Sequence, residues 1–162
     1  MAEGDMRNLG QAAEALSMAR ADPSLISELV DGLGDSSPLI QGGCANVLEN
    51  IGRQRPDLIQ PYAGQIVIAV RNSDQKEVQW HAAQLVSHLN LDCEQQEVMV
   101  ECLSQWFDRS KSSIVRTMCL QGLHDLAERD QTLQPAFEAR LGLALESGTA
   151  AMKARARKLD KL

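Results

Sequence analysis

One helical pattern recurs along this chain at a period of 37 or 38 residues. In "KEVQWHAAQLVSHLNLDCEQQ", Val78, Ala82, Leu85, Val86 and Leu89 fall at steps of i, i+4, i+7, i+8 and i+11, which is one face of an α-helix. In "SSIVRTMCLQGLHDLAERDQT", Val115, Cys119, Gly122, Leu123 and Leu126 take the same steps 37 residues on. Ile40, Cys44, Val47, Leu48 and Ile51 take them 38 residues earlier, and Met152, Ala156 and Leu159 repeat them in part. The column Cys44, Ala82, Cys119, Ala156 is small throughout, which suits close approach of helices. A chain that repeats at this length points to stacked supersecondary units, each unable to bury its apolar face alone.

A first helix precedes each of these second helices. Its columns are Ile26, Leu29, Leu33, then Ala63, Ile66, Val70, then Val100, Leu103, Phe107, then Phe137, Leu141, Leu145. The unit is therefore helix, short turn, helix. "MRNLGQAAEALSMAR" is amphipathic through Met6, Leu9, Ala13 and Leu16 and reads as a leading half-repeat. The expected divisions are a leading half-repeat at 6–21 and repeats at 22–54, 55–91, 92–129 and 130–162. Asp22 with Pro23 predicts a capped helix start, and Asp74 with Glu77 has capping-box spacing. Pro56, Pro61 and Pro135 fall near starts of first helices, where a missing N–H costs least.

The turns between paired helices, "GDSSPLIQ", "SDQKEVQ", "RSKSSIVR" and "SGTAAMK", each place a polar turn before an apolar residue and then a polar or basic one. This resembles the HEAT repeat, with its Asp-containing turn followed by Val-Arg. Asp35 and Asp74 match the turn Asp, and Val115-Arg116 matches the dipeptide. Gln41 and Gln79 stand where the Arg would be, Lys153 keeps its charge, and the fourth turn lacks Asp. The chain is also similar to small stand-alone bacterial HEAT-like proteins. The resemblance implies an all-α fold, a right-handed α-solenoid of about four helix pairs behind a leading helix, with the second helices lining a concave binding surface.

Composition narrows the function. Aromatics are 3% of the 162 residues, so Leu, Ile, Val, Ala and Met must build the core. The net charge is −6, where nucleic-acid binding through phosphates calls for a basic footprint. Basic residues concentrate only in "KARARKLDK", where Lys153, Arg157 and Lys161 form an i, i+4, i+8 row opposite Met152, Ala156 and Leu159. No apolar run approaches the roughly 20 residues of a membrane span. The cysteines, Cys44, Cys93, Cys102 and Cys119, form no CxxC, and free thiols with no visible signal peptide point to a reducing, cytoplasmic setting.

No GxSxG, GxGxxG, Walker or HExxH motif is present, so no enzyme activity and no cofactor or metal is expected. His81 and His88 are seven residues apart, about 10.5 Å along a helix axis, too far to share one ion. They read as polar groups on an exposed helix face. Cys44 and Cys119 read as core. Trp106 and Phe107 read as first-helix core, and the helical pair Gly42 and Gly43 as close packing.

The face of the second helices opposite the core is the informative surface. Its ladders read Asn46, Gln84, Gln121, Lys158; Asn50, His88, Asp125; Gly42, Trp80, Thr117; and Gly43, His81, Met118, Arg155. Amides, imidazoles and one Trp are unusual on a merely solvated face, and Trp is enriched at binding hot spots. The expected site is Trp80, His81, Gln84, His88, Thr117, Gln121 and Asp125, and the expected activity is that of a non-enzymatic scaffold for an unidentified protein or peptide. Other HEAT-like proteins suggest alternatives, a nucleic-acid module handling alkylated DNA or a helper in bilin attachment. Neither has a matching feature in these residues.

Overall fold

In the computed structural model the described residues are 13–161 apart from Ala15. The start of the expected leading half-repeat, with Met6 and Leu9, lies outside them. Within them, 16–21 is helical and Ala19 is its buried residue, while Ala13 is exposed. The rest of the described chain is all-α, with no strand. Helix α1 (Leu25–Gly32) is followed by α2 (Pro38–Gln54), then the short α3 (Pro56–Ile59), a 3-10 turn and α4 (Ala63–Val70). Next come α5 (Lys76–Leu85), which runs on as a 3-10 turn over Val86–His88, α6 (Cys93–Arg109) and α7 (Ser113–Ala127). A further 3-10 turn leads into α8 (Gln134–Ser147) and α9 (Ala150–Leu159).

Two layers result. The second helices pack in sequence, α2 on α5, α5 on α7 and α7 on α9. The first helices do the same, α1 beside α4, α4 beside α6 and α6 beside α8. The apolar columns face the shared interior. Val78, Ala82, Leu85, Val86 and Leu89 are buried, as are Val115, Cys119, Leu123 and Leu126, and Met152, Ala156 and Leu159. Trp106 and Phe107 lie in the same core.

Two members of the columns depart from expectation, both in the first repeat. Ile40 is 46% exposed, while Val78, Val115 and Met152 in the same place are fully buried. Cys44 is half-buried, while Cys119 is fully buried. The positions are the same, but both residues lie against Gly32 of α1, which has no side chain to cover them.

The turns use a device that the sequence pattern misaligned. The Asp35 carboxylate accepts the N–H of Ser37 at 2.7 Å. The equivalent acceptor in the next turn is Ser73, whose hydroxyl takes the N–H of Gln75 at 3.2 Å, and in the third it is Ser110, on Ser112 at 3.1 Å. Asp74 is therefore not the counterpart of Asp35. Nor does it cap a helix, because α5 begins at Lys76 and its N-cap position is Gln75, which makes no side-chain cap. The capping box belongs instead to α6, where Asp92 accepts from the Gln95 N–H at 2.9 Å and the Gln95 side chain accepts from the Asp92 N–H at 3.3 Å. Asp22 holds the Ser24 N–H at 3.0 Å, and α1 starts just after.

The residues in the place of the HEAT arginine also act within their own repeat. Gln41 donates to the Asp35 carbonyl, and Gln79 to the Ser73 carbonyl at 2.9 Å. Arg116, being longer, reaches the Phe107 carbonyl at 2.9 Å with its guanidinium over the Phe107 ring. Gln41 and Gln79 tie the second helix to the turn before it, and Arg116 ties α7 to the end of α6.

Candidate functional site

The ladder of the second helices is neither bare surface nor core, and its residues differ in what they have left to offer. Asn46 and Asn50 sit one turn apart on α2, and the Asn50 amide donates to the Asn46 side chain at 2.8 Å. On α5, Trp80 is half-buried against the core, with its ring centroid 5.1 Å from that of His81. Gln84 is half-buried, and its amide makes only a 3.5 Å contact with the Trp80 carbonyl, longer than an ordinary hydrogen bond. On α7, Gln121 donates to Asp125 at 2.7 Å, and its oxygen accepts from Arg155 of α9 at 2.7 Å. This chain of bonds ties the third repeat to the fourth.

His81 and His88 are not on an exposed face. The His81 side chain is 13% exposed, its Nδ1 is buried without a hydrogen-bond partner, and it stands 3.8 Å from the Glu49 carboxylate. His88 is half-buried at the end of the 3-10 turn. Burial depresses its pKa most. Among its charged neighbours, Glu49 and Asp125 push the pKa up and Arg53 and Arg129 push it down. A helix face read as solvated is instead packed between α2 and α7, because the second helices touch along that side.

Thr117 is also misplaced as a binding residue. It is buried, and its hydroxyl donates to the Ser113 carbonyl within its own helix at 2.7 Å. Gly42 and Gly43 separate: a β-carbon on Gly42 would meet Glu77 of α5 at 3.0 Å, whereas Gly43 faces open space. Close packing explains the first and not the second.

Pattern reading did not single out Glu49, which is 2% exposed and central to the cluster. Burial alone would raise its pKa, but His81 and Arg53 together hold the carboxylate below its ordinary range. The available signal was Glu49 and Arg53 at i, i+4, a spacing that pairs charges on a helix. His124, in the same column two repeats on, is likewise buried, edge-on to Phe137 at 5.2 Å and 3.3 Å from Asp125.

The thiols vary. Burial pushes the Cys119 thiol well up and the Cys102 thiol up, and Cys44 is raised by burial and then by nearby Asp35. Cys93 is exposed at the start of α6. Among the described residues no three His, Cys, Asp or Glu side chains come together as a metal's ligands, and no helix is long and apolar enough to cross a membrane. Two shallow clefts, one between α4 and α6 beside Ile68 and one between α7 and α8 beside Phe137, include none of the seven expected site residues. No protein-family model matches the chain.

Proposed function

We propose that this chain is a HEAT-like module, a right-handed solenoid of four helix pairs behind a leading helix, which holds a protein or peptide against the ladder of its second helices. The observation that carries this reading is the state of Gln84. It is half-buried at the centre of the ladder, and its amide has only a long contact to the Trp80 carbonyl, so its hydrogen-bonding capacity is free for a partner. Trp80 beside it supplies an amphipathic anchor. Asn46, Asn50, His88, Gln121 and Asp125 extend the polar strip to either side, and Thr117 drops out of it. The acidic balance of the chain and its scarcity of aromatics lend no support to a nucleic-acid ligand.

The test is to recover a partner with the chain as bait and then measure its affinity for Trp80→Ala, Gln84→Ala and Asp125→Asn, with thermal unfolding alongside. Gln84→Ala should weaken binding by at least about 1 kcal/mol, and Trp80→Ala by about 2 kcal/mol or more. Gln84→Ala should leave the melting temperature unchanged. Affinity that survives all three substitutions places the partner elsewhere.

A further inference from the structure

Charge is divided between the two helix layers. The first helices α1, α4, α6 and α8 hold eight acids and two bases, while the second helices α2, α5, α7 and α9 hold three acids and seven bases. The ladder layer is thus basic in a chain whose net charge is −6. Within it, α2, α5 and α7 each hold one acid and one base, and α9 holds four bases.

Packing decides which of these charges are already answered. Glu49 is buried and bridged by Arg53, with His81 3.8 Å away, so that acid and that base cancel. Glu77 lies 3.6 Å from Lys76 at the start of α5. The cations of the third and fourth repeats bind neutral groups instead. Arg129 donates to the carbonyls of Leu89 and Ser87, and Arg155 to the side-chain oxygen of Gln121. Neither bond neutralises a charge. Lys158, which continues the column of Gln84 and Gln121, is exposed. Asp125 accepts from Gln121 and stands 3.3 Å from His124. Three cations therefore accompany one acid on this part of the ladder.

We propose that the occupant of the ladder is an acidic peptide segment, with an apolar side chain on Trp80 and a Glu or Asp on Arg155 and Lys158 of α9, which rests on the ladder being the binding face. Packed helices lie about 8–10 Å apart, so α9 stands roughly two such steps, about 16–20 Å, from α5. That is about five or six residues of extended chain, which sets the spacing between the apolar anchor and the acid. The Arg155 guanidinium is held in place by Gln121, so a carboxylate meets a donor that is already ordered. The surplus charge of the ladder draws such a segment in, and the acids of the first helices repel it from the other layer.

Selection of random peptides of about twelve residues, twice the expected span, against the full chain at about 0.05 M salt tests this. The recovered peptides should carry net negative charge, with an acid about five or six residues from a large apolar residue. Affinity for a synthetic consensus peptide should fall at least about fivefold between about 0.05 and 0.3 M salt. It should fall at least about tenfold in Arg155→Glu with Lys158→Glu. Because that variant gives up the bond to Gln121, Lys158→Glu alone is measured beside it and should weaken binding about threefold with an unchanged circular dichroism spectrum. Lys111→Glu, an exposed charge in the turn before α7, should change affinity less than about twofold. Selection that returns neutral or basic peptides, still sensitive to Gln84→Ala, would overturn the acidic partner and leave the ladder as the binding face. Peptides insensitive to Gln84→Ala and Trp80→Ala would overturn both. A selection that enriches nothing acidic, or a single-stranded oligonucleotide that binds the same cations more tightly than the peptides, would also overturn the proposal.

Discussion

Gly122 of α7 lies directly on the backbone of α5: a β-carbon added to it would stand 2.6 Å from the carbonyl oxygen of Ala83. A backbone oxygen in a packed helix cannot swing aside as a side chain could, so Gly122→Ala has to part the second and third repeats. It should lower stability by about 1–3 kcal/mol, the usual cost of overpacking. Gly43→Ala places its methyl in open space, so it should raise stability by up to about 1 kcal/mol through helix propensity. Urea titration of both variants against the parent gives the two signs.

Stability should decline as pH falls below about 6.5, and His88 should account for part of the decline. Its folded pKa lies below the ordinary imidazole value, chiefly through burial. The unfolded chain therefore takes up the proton first. The stabilisation is fully present above the unfolded pKa of about 6.5 and is lost as pH falls through the lower folded value. Glu49 and Asp125 oppose the depression, and Arg53 and Arg129 add to it. His88→Gln should flatten the urea midpoint between about pH 7.5 and 5.5.

Arg53 is more than a surface charge, although its own side chain is 54% exposed. Its partner, the Glu49 carboxylate, is buried, and pairs otherwise with His81. Arg53→Ala should cost about 1–2 kcal/mol, above the usual value of an exposed pair, because it strands a buried charge. Adding Glu49→Gln to that variant should recover part of the loss. A double-mutant cycle by thermal unfolding measures the coupling.

Arg129 closes the end of the second repeat from the far side of the third. Its guanidinium donates to the Leu89 carbonyl at 2.7 Å and also to the Ser87 carbonyl. These carbonyls lie at the frayed 3-10 end of α5, where no helical N–H follows to satisfy them. Arg129→Ala should cost about 1–2 kcal/mol. Arg129→Lys should restore only part of it, because an ammonium lacks the fork that spans two acceptors. Hydrogen exchange should show the amides of 86–89 opening in both variants.

The helix pairs were legible because burial on a helix imposes a period, and the period survives substitution of one small or apolar residue for another. Val78, Val115 and Met152 mark one buried column whatever their identity, and the row Lys153, Arg157, Lys161 stands opposite it. The turn device was less legible, since Asp35, Ser73 and Ser110 do the same work with different side chains, and the nearby Asp74 offered a false match. The candidate site was the least legible part. A polar ladder looks alike in sequence whether water or a neighbouring helix lies against it.

From sequence alone, then, came the all-α character, the four helix pairs and the inward columns, all consequences of local periodicity and of each pair's need to cover its apolar face. Tertiary packing decided the rest. Ile40 is exposed where its counterparts are buried because burial depends on what stands against a side chain, and against Ile40 stands Gly32 of α1, which has none. Glu49 is buried and charged because α5 brings His81 against α2, a contact between residues 32 apart that no single helix pattern encodes. Thr117 and His81 left the surface for the same reason: a helix has one pattern but several sides, and only the stack determines which of them meets water.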